Sequence, residues 1–159
     1  LTGKPLSALW FFLMIILENQ KTLVTKGSEI KKNWVIVDAK DQILGRLATR
    51  VAHHIRGKHR VDFSPNQDIG DFVIVINARH VRTTGKKLDQ KMYRHHSRHP
   101  GGLKSFDLKT TLQRNPTLAV EKAVKRMLPP GPLGRRLFDN LKVYADAEHP
   151  HQAQKPTPI

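Results

Sequence analysis

The chain contains no cysteine. Disulfides, thiolate zinc sites and a cysteine nucleophile are therefore excluded, and the composition fits a reducing compartment. Aromatic residues are scarce as well, at 6% of the 159 residues, which argues against base stacking as the main mode of binding. Acidic residues are outnumbered: 13 Asp and Glu stand against 28 Lys and Arg, for a formal net charge of +15. Such an excess repels itself in a compact body unless a polyanion is at hand. Nucleic acid is the first candidate partner and an anionic membrane surface the second. No apolar run reaches the roughly twenty residues that span a bilayer. The longest, Ala8 to Leu17, has ten.

That run sets residues 1–20 apart. It stands behind a single Lys4, and Glu18-Asn19-Gln20 follow it where a signal peptide would carry small residues for cleavage. With Leu1 in first place, the expectation is an extension from a start read too far upstream, the working chain opening near Gln20 or Lys21. A membrane anchor and an organellar leader are the alternatives. Beyond it, length predicts one domain over 21–148, and the proline-bearing stretch 149–159 predicts an extended tail.

Inside the domain, Trp34-Val35-Ile36-Val37 ending in Asp38 is a short apolar run, as in a strand buried on both faces. Leu44, Leu47, Ala48, Val51, Ala52 and Ile55 follow at helical spacing, forming one apolar stripe that ends before Gly57. Arg46, Arg50 and Arg56 lie off the stripe. Pro65 to Gly70 reads as a loop and Phe72 to Ile76 as a second apolar strand. Strand, helix, strand predicts a βαβ unit and a parallel sheet with helices packed on it.

Arg82 to Lys104 is strongly basic and predicts a long loop or hairpin outside the core. Ser105 is the expected cap of a helix with Asp107 in its first turn and Leu108 and Leu112 inward. Asn115-Pro116 opens another, with Ala119, Val120, Ala123, Val124, Met127 and Leu128 as its buried stripe. Pro129-Pro130-Gly131-Pro132 must break it. A short helix over Leu133 to Leu141 and a last strand over Lys142-Val143-Tyr144 complete the expected order.

Enzyme signatures fail on spacing. Thr84-Gly85-Lys86-Lys87 has the Gly-Lys pair of a phosphate-binding loop, but His80 stands where the first Gly belongs and Lys87 where Ser or Thr belongs. The nine histidines include His95-His96, His99 and His149-x-His151, yet none forms a metalloprotease pair and no Cys can assist. Asp62, Asp68 and Asp71 border a loop rich in turn residues, where Asp commonly serves as a turn or cap; a magnesium-dependent nuclease built on them is the rival reading. No cofactor, metal or catalytic residue is expected.

The basic segments carry the stronger signal. One such run is the ordinary solvated end of a helix, but four occur, each beside Gly or Pro, where backbone can approach phosphate closely. The residues expected to meet phosphate are Arg56, Lys58, His59 and Arg60 in the first. Lys86, Lys87, Lys91, Arg94, Arg98 and Lys104 belong to the second. Lys125 and Arg126 represent the third, and Arg135, Arg136 and Lys142 the fourth. Lys offers a point charge and Arg a planar fork. Tyr93, among them, suits either a base or the core.

Several stretches resemble one known family. They include Trp34-Val35-Ile36-Val37-Asp38-Ala39, Leu44-Gly45-Arg46-Leu47-Ala48, Arg56-Gly57-Lys58-His59, and Gly70-Asp71 running into Phe72 to Ala78. Thr84-Gly85-Lys86-Lys87, Pro100-Gly101-Gly102-Leu103-Lys104, Leu141-Lys142-Val143-Tyr144-Ala145 and Glu148-His149-Pro150-His151-Gln152-Ala153-Gln154 extend the match. In order and spacing these resemble ribosomal protein number thirteen of the large subunit, in its bacterial form, from about Lys21 to Pro158. The family's central signature stands here as Val124-Lys125-Arg126-Met127-Leu128-Pro129 and Leu133-Gly134-Arg135. Arg126 replaces the usual Gly, and Pro130-Gly131 a usual Lys-Asn. The resemblance implies a three-layer α/β/α sandwich around a small, mainly parallel sheet with long basic loops. It implies binding to 23S rRNA early in large-subunit assembly, beside other ribosomal proteins, in a bacterial cytoplasm or, alternatively, an organelle. It brings neither a small-molecule substrate nor a membrane partner.

Overall fold

The computed structural model describes residues 24–159, so the apolar run from Ala8 to Leu17 lies outside the described residues. A first unit ends at Ile30, and among its described residues Gly27–Glu29 form a single 3₁₀ turn. The second unit, Lys31–Ile159, contains all the described helices and sheet strands.

It opens with β1 (Trp34–Asp38), α1 (Leu44–Arg56) and β2 (Phe72–Ile76). β1 and β2 pair in parallel, Trp34 opposite Phe72 and Asp38 opposite Ile76, which is the βαβ unit that the periodicity predicts. All six residues of the α1 stripe are buried. Each large apolar side chain so removed from water contributes about 1.5–3 kcal/mol, enough to decide which way the helix faces. α1 stops at Gly57, whose φ of 78° is left-handed; its N–H donates to the carbonyls of His53 and His54, a helix end that favours glycine.

The short α2 (Lys87–Gln90) leads into a hairpin of β3 (Met92–His96) and β4 (Leu103–Asp107), antiparallel with Tyr93 opposite Phe106. Next come α3 (Leu108–Arg114), α4 (Pro116–Lys125) and α5 (Pro132–Asp139), then β5 (Leu141–Val143) and β6 (Thr157–Pro158). The main sheet has the order β5-β2-β1-β6, and every pairing in it is parallel. Helices flank this sheet, so the fold is the expected mixed α/β sandwich. Its main core joins Val37, Val73 and Val75 to the α1 stripe, to Val120 and Val124 of α4 and to Leu137 of α5.

Four local expectations need correction. β1 is fully buried on one face only: Val35 and Val37 are buried while Trp34 and Ile36 are half-covered. On that second face Trp34 stacks on Phe72, ring centroids 4.6 Å apart. Ser105 caps nothing, because it lies in β4 opposite Arg94; Asp107 precedes α3 instead. Met127 is not buried. α4 ends at Lys125, which takes Met127 off the helical stripe and leaves it 46% exposed. Finally, the last strand is β6 and not the one near Lys142, since Thr157 and Pro158 pair with Val35 and Ile36. Proline is tolerated there because an edge strand needs no inward donor at that position.

Candidate nucleic-acid interface

The end of α4 gathers the charge. Three adjoining depressions meet around Arg126, Met127 and Pro129. The first is lined by Lys125, Arg126 and Arg135, the second by Arg56 and Lys58 with Met127, and the third by Lys87, Lys91 and Arg126 with Met127. Cations from all four basic stretches thus share one surface. No acid is paired with these seven side chains among the described residues. At Lys91, burial first and then the charges of Arg126 and Lys87 hold the ammonium below the ordinary lysine value. A polyanion would relieve that repulsion.

Local backbone explains the surface. Arg126 takes φ −76° and ψ −14° at the end of α4, a conformation open to every residue, so its replacement of a family glycine adds a cation without strain. Gly131, at φ 102° and ψ −169°, occupies a region essentially reserved for glycine and turns the chain into α5. A Cβ on Gly134 would stand 1.8 Å from the Pro129 carbonyl oxygen, so the loop closes tightly against the helix that carries Arg135. The outer face of α1 extends the patch: Arg46, Thr49, Arg50 and His53 line a further depression adjoining the second. Sequence reading left Arg46 and Arg50 off the site, although their spacing already placed them on the exposed face of the helix.

The other expected residues fall elsewhere. Arg94, Arg98 and Lys104 are exposed on the β3–β4 hairpin, and Lys86 stands exposed before α2. Arg136 is exposed on α5. Lys142 is half-covered and pairs in register with Ile74, so it alternates onto the sheet face opposite Val73 and Val75. Arg60 is engaged: its guanidinium forks onto Asp62 at 3.0 and 3.2 Å and donates to the Lys31 carbonyl at 2.6 Å. His59 lies 2.8 Å from Asp71. Tyr93 closes a small core with Leu108 and Ala119 at 4% exposure, and Lys91 and Lys122 sit over its ring.

The nuclease reading fails on geometry. Asp68 pairs with Lys32 at 2.6 Å and accepts from Asn140, Asp62 pairs with Arg60, and Asp71 faces His59 and Asn33. Each carboxylate is thus taken up by a cation or an N–H donor of the fold, with Arg60 also 3.8 Å from Asp71, and the three do not converge on one point. Among the described residues, the one grouping with metal-ligand character is His54, His59 and Asp71. There burial first, then the charges of His59 and His53, hold the His54 imidazole below its ordinary value.

The arrangement defines a class: a small basic α/β protein that displays cations rather than reactive groups. Comparison makes the class specific. The family described as Ribosomal protein L13 matches residues 32–150. The large ribosomal subunit protein uL13 of Thermus thermophilus is 55% identical over 136 residues, covering 86% of this chain and 96% of the relative. Its counterpart in Thermotoga maritima is 53% identical over 140 residues (88% and 94%), and that of Legionella pneumophila strain Paris 51% over 136 (86% and 94%). The chain belongs to the ribosomal protein L13 family. It is a structural constituent of the large ribosomal subunit and not an enzyme. Among the described residues no helix is long and apolar enough to cross a membrane.

Proposed function

We propose that the chain binds 23S rRNA, early in assembly of a bacterial large subunit, through the cations gathered around Arg126, Met127 and Pro129, beside neighbouring subunit proteins. The convergence of Arg56, Lys58, Lys87, Lys91, Lys125, Arg126 and Arg135 carries the reading. Four stretches of chain bring unpaired positive charge to one surface, a spacing suited to phosphates of several RNA segments and not to a single groove. Lys86, Arg94, Arg98, Lys104 and Arg136 act as outlying contacts. Such contacts position the protein and carry little base information, so recognition follows the shape of folded RNA. The engaged Arg60 and His59 act on the fold of the 57–60 turn, and Lys142 contacts RNA only from the other side of the sheet.

The test is a salt titration of binding to 23S rRNA fragments. Replacing Lys87, Lys91 and Arg126 together by Ala weakens binding and lowers the salt slope by roughly two to three phosphate contacts. The same slope in the variant and the parent would remove this surface from the interface. Reconstitution with the chain omitted should stall at an early particle; a late, nearly complete particle would defeat the early placement.

A further inference from the structure

We propose that His54, His59 and Asp71 form a binding site for one divalent transition-metal ion of the zinc type. Their candidate ligand atoms all lie within 4.8 Å of one another, and His59 Nε2 is already 2.8 Å from an Asp71 oxygen. Two imidazoles with one carboxylate favour Zn²⁺, Co²⁺ or Ni²⁺ over Mg²⁺ or Ca²⁺, which call for more oxygen donors. With bonds of about 2.0–2.1 Å, the His59–Asp71 separation already suits one edge of a coordination shell. The remaining approach requires only side-chain rotation, which His59 is exposed enough to make.

The backbone around the three ligands is interlocked. The N–H groups of Gly57 and Asp71 both donate to the His54 carbonyl. A Cβ on Gly70 would stand 1.7 Å from the Ile55 carbonyl oxygen, so the stretch entering β2 lies directly on the end of α1. Asp71 is 3% exposed, and one of its oxygens accepts from the Asn33 N–H at 3.0 Å, leaving the other turned to His59. Outer hydrogen bonds of this kind hold metal ligands in place.

An independent observation points to a missing partner: Nδ1 of His54 is buried and has no hydrogen bond among the described residues. An open depression shared with Trp34 and Lys155 supplies an entry path. Two nearby cations have closer acids, Lys32 at Asp68 and Arg60 at Asp62; Arg60 also lies 3.8 Å from the Asp71 oxygen that accepts from Asn33, which leaves the oxygen facing His59 for the ion. The ion replaces the proton between His59 and Asp71 and ties the end of α1, the 57–60 turn and the start of β2 together. It thereby fixes the turn that presents Lys58.

The test uses the full chain, stripped with chelator and titrated with Co²⁺ and with Zn²⁺. One equivalent binds, Co²⁺ acquires ligand-field absorption, and Zn²⁺ raises the melting temperature. His54→Ala and Asp71→Asn each weaken binding tenfold or more, while replacing His95, His96 and His99 together leaves it intact. Should either of the first two variants fail to melt cooperatively, His59→Gln and the ¹⁵N resonances of the parent's imidazoles decide: Zn²⁺ must shift His54 and His59. Absence of stoichiometric binding overturns the site. So does binding that survives loss of His54 or His59, or that shifts only the hairpin histidines.

Discussion

At the scale of single residues, Asp38 shows how one carboxylate secures a strand end. It accepts hydrogen bonds from the Lys40 N–H and from Asn77 Nδ2, both at 2.9 Å, and these hold its carboxyl below the usual 3.8. A lowered carboxylate stabilises the fold above its unfolded value, and the contribution disappears as pH falls through the folded one. Asp38→Asn should therefore cost about 0.5–1 kcal/mol at neutral pH and flatten the acid limb of the stability curve; unfolding by denaturant at pH 7 and pH 3 checks both. Lys91 carries the opposite sign. Its depressed value means that the amine destabilises the fold while charged, and stability rises in the alkaline range as it loses its proton below the unfolded value of 10.5. Lys91→Met should raise stability by roughly 0.5 kcal/mol, remove that alkaline gain and weaken RNA binding. Equal losses of stability and affinity would contradict the account. Residue identity was legible where a periodic face set it, as at Leu47 or Val51. It was not legible for His59, whose acidic partner Asp71 is set by the return of the chain into β2 rather than by spacing, nor for Arg60, whose turn folds it back onto the nearby Asp62.

At the scale of elements, the hairpin differs from the sheet. Of its ten residues, only Tyr93 is buried, whereas β2 is covered at Val73, Ile74 and Val75. Amide exchange should therefore be much faster in β3 and β4 than in β1 and β2 when RNA is absent, and should slow at the hairpin when RNA is bound. Uniform protection across both sheets would refute this. The composition of Arg82 to Lys104 already marked an exposed segment, but strand register within it was hidden because few apolar positions alternate there. The same weakness misplaced Ser105. A cap is recognised from the residues after it, and Leu108 and Leu112 suit a helix starting at either position. Periodicity places Met127 on a buried stripe because it does not show where a helix stops; the end at Lys125 turns it outward, where it lines two of the three depressions.

At the scale of the molecule, the charge of +15 is one-sided in effect. Among the described residues few cations pair with acids, and those around Arg126 and Met127 are mutually close, so an anionic scaffold should act as a stabilising ligand. A short RNA duplex at a hundred times its dissociation constant should add about 2.7 kcal/mol to stability, with the rise in melting temperature abolished by high salt. A rise that persists at high salt would point to something other than charge. The parallel sheet was legible from strand, helix, strand. The surface was legible only in part, since the four stretches are far apart in the chain and come together only where α4 packs on α1 and α5 and, through α3, on α2.

The wiring of the sheet has a kinetic corollary. With every pairing in it parallel, no two adjacent strands can zip from a tight turn, and each must await the closure of a long connection. Closing such connections costs chain entropy before any pairing repays it, which slows folding relative to a helical bundle of the same size. During that interval its lysines and arginines are already exposed, so on the proposed role encounter with RNA would precede completion of the surface that holds it.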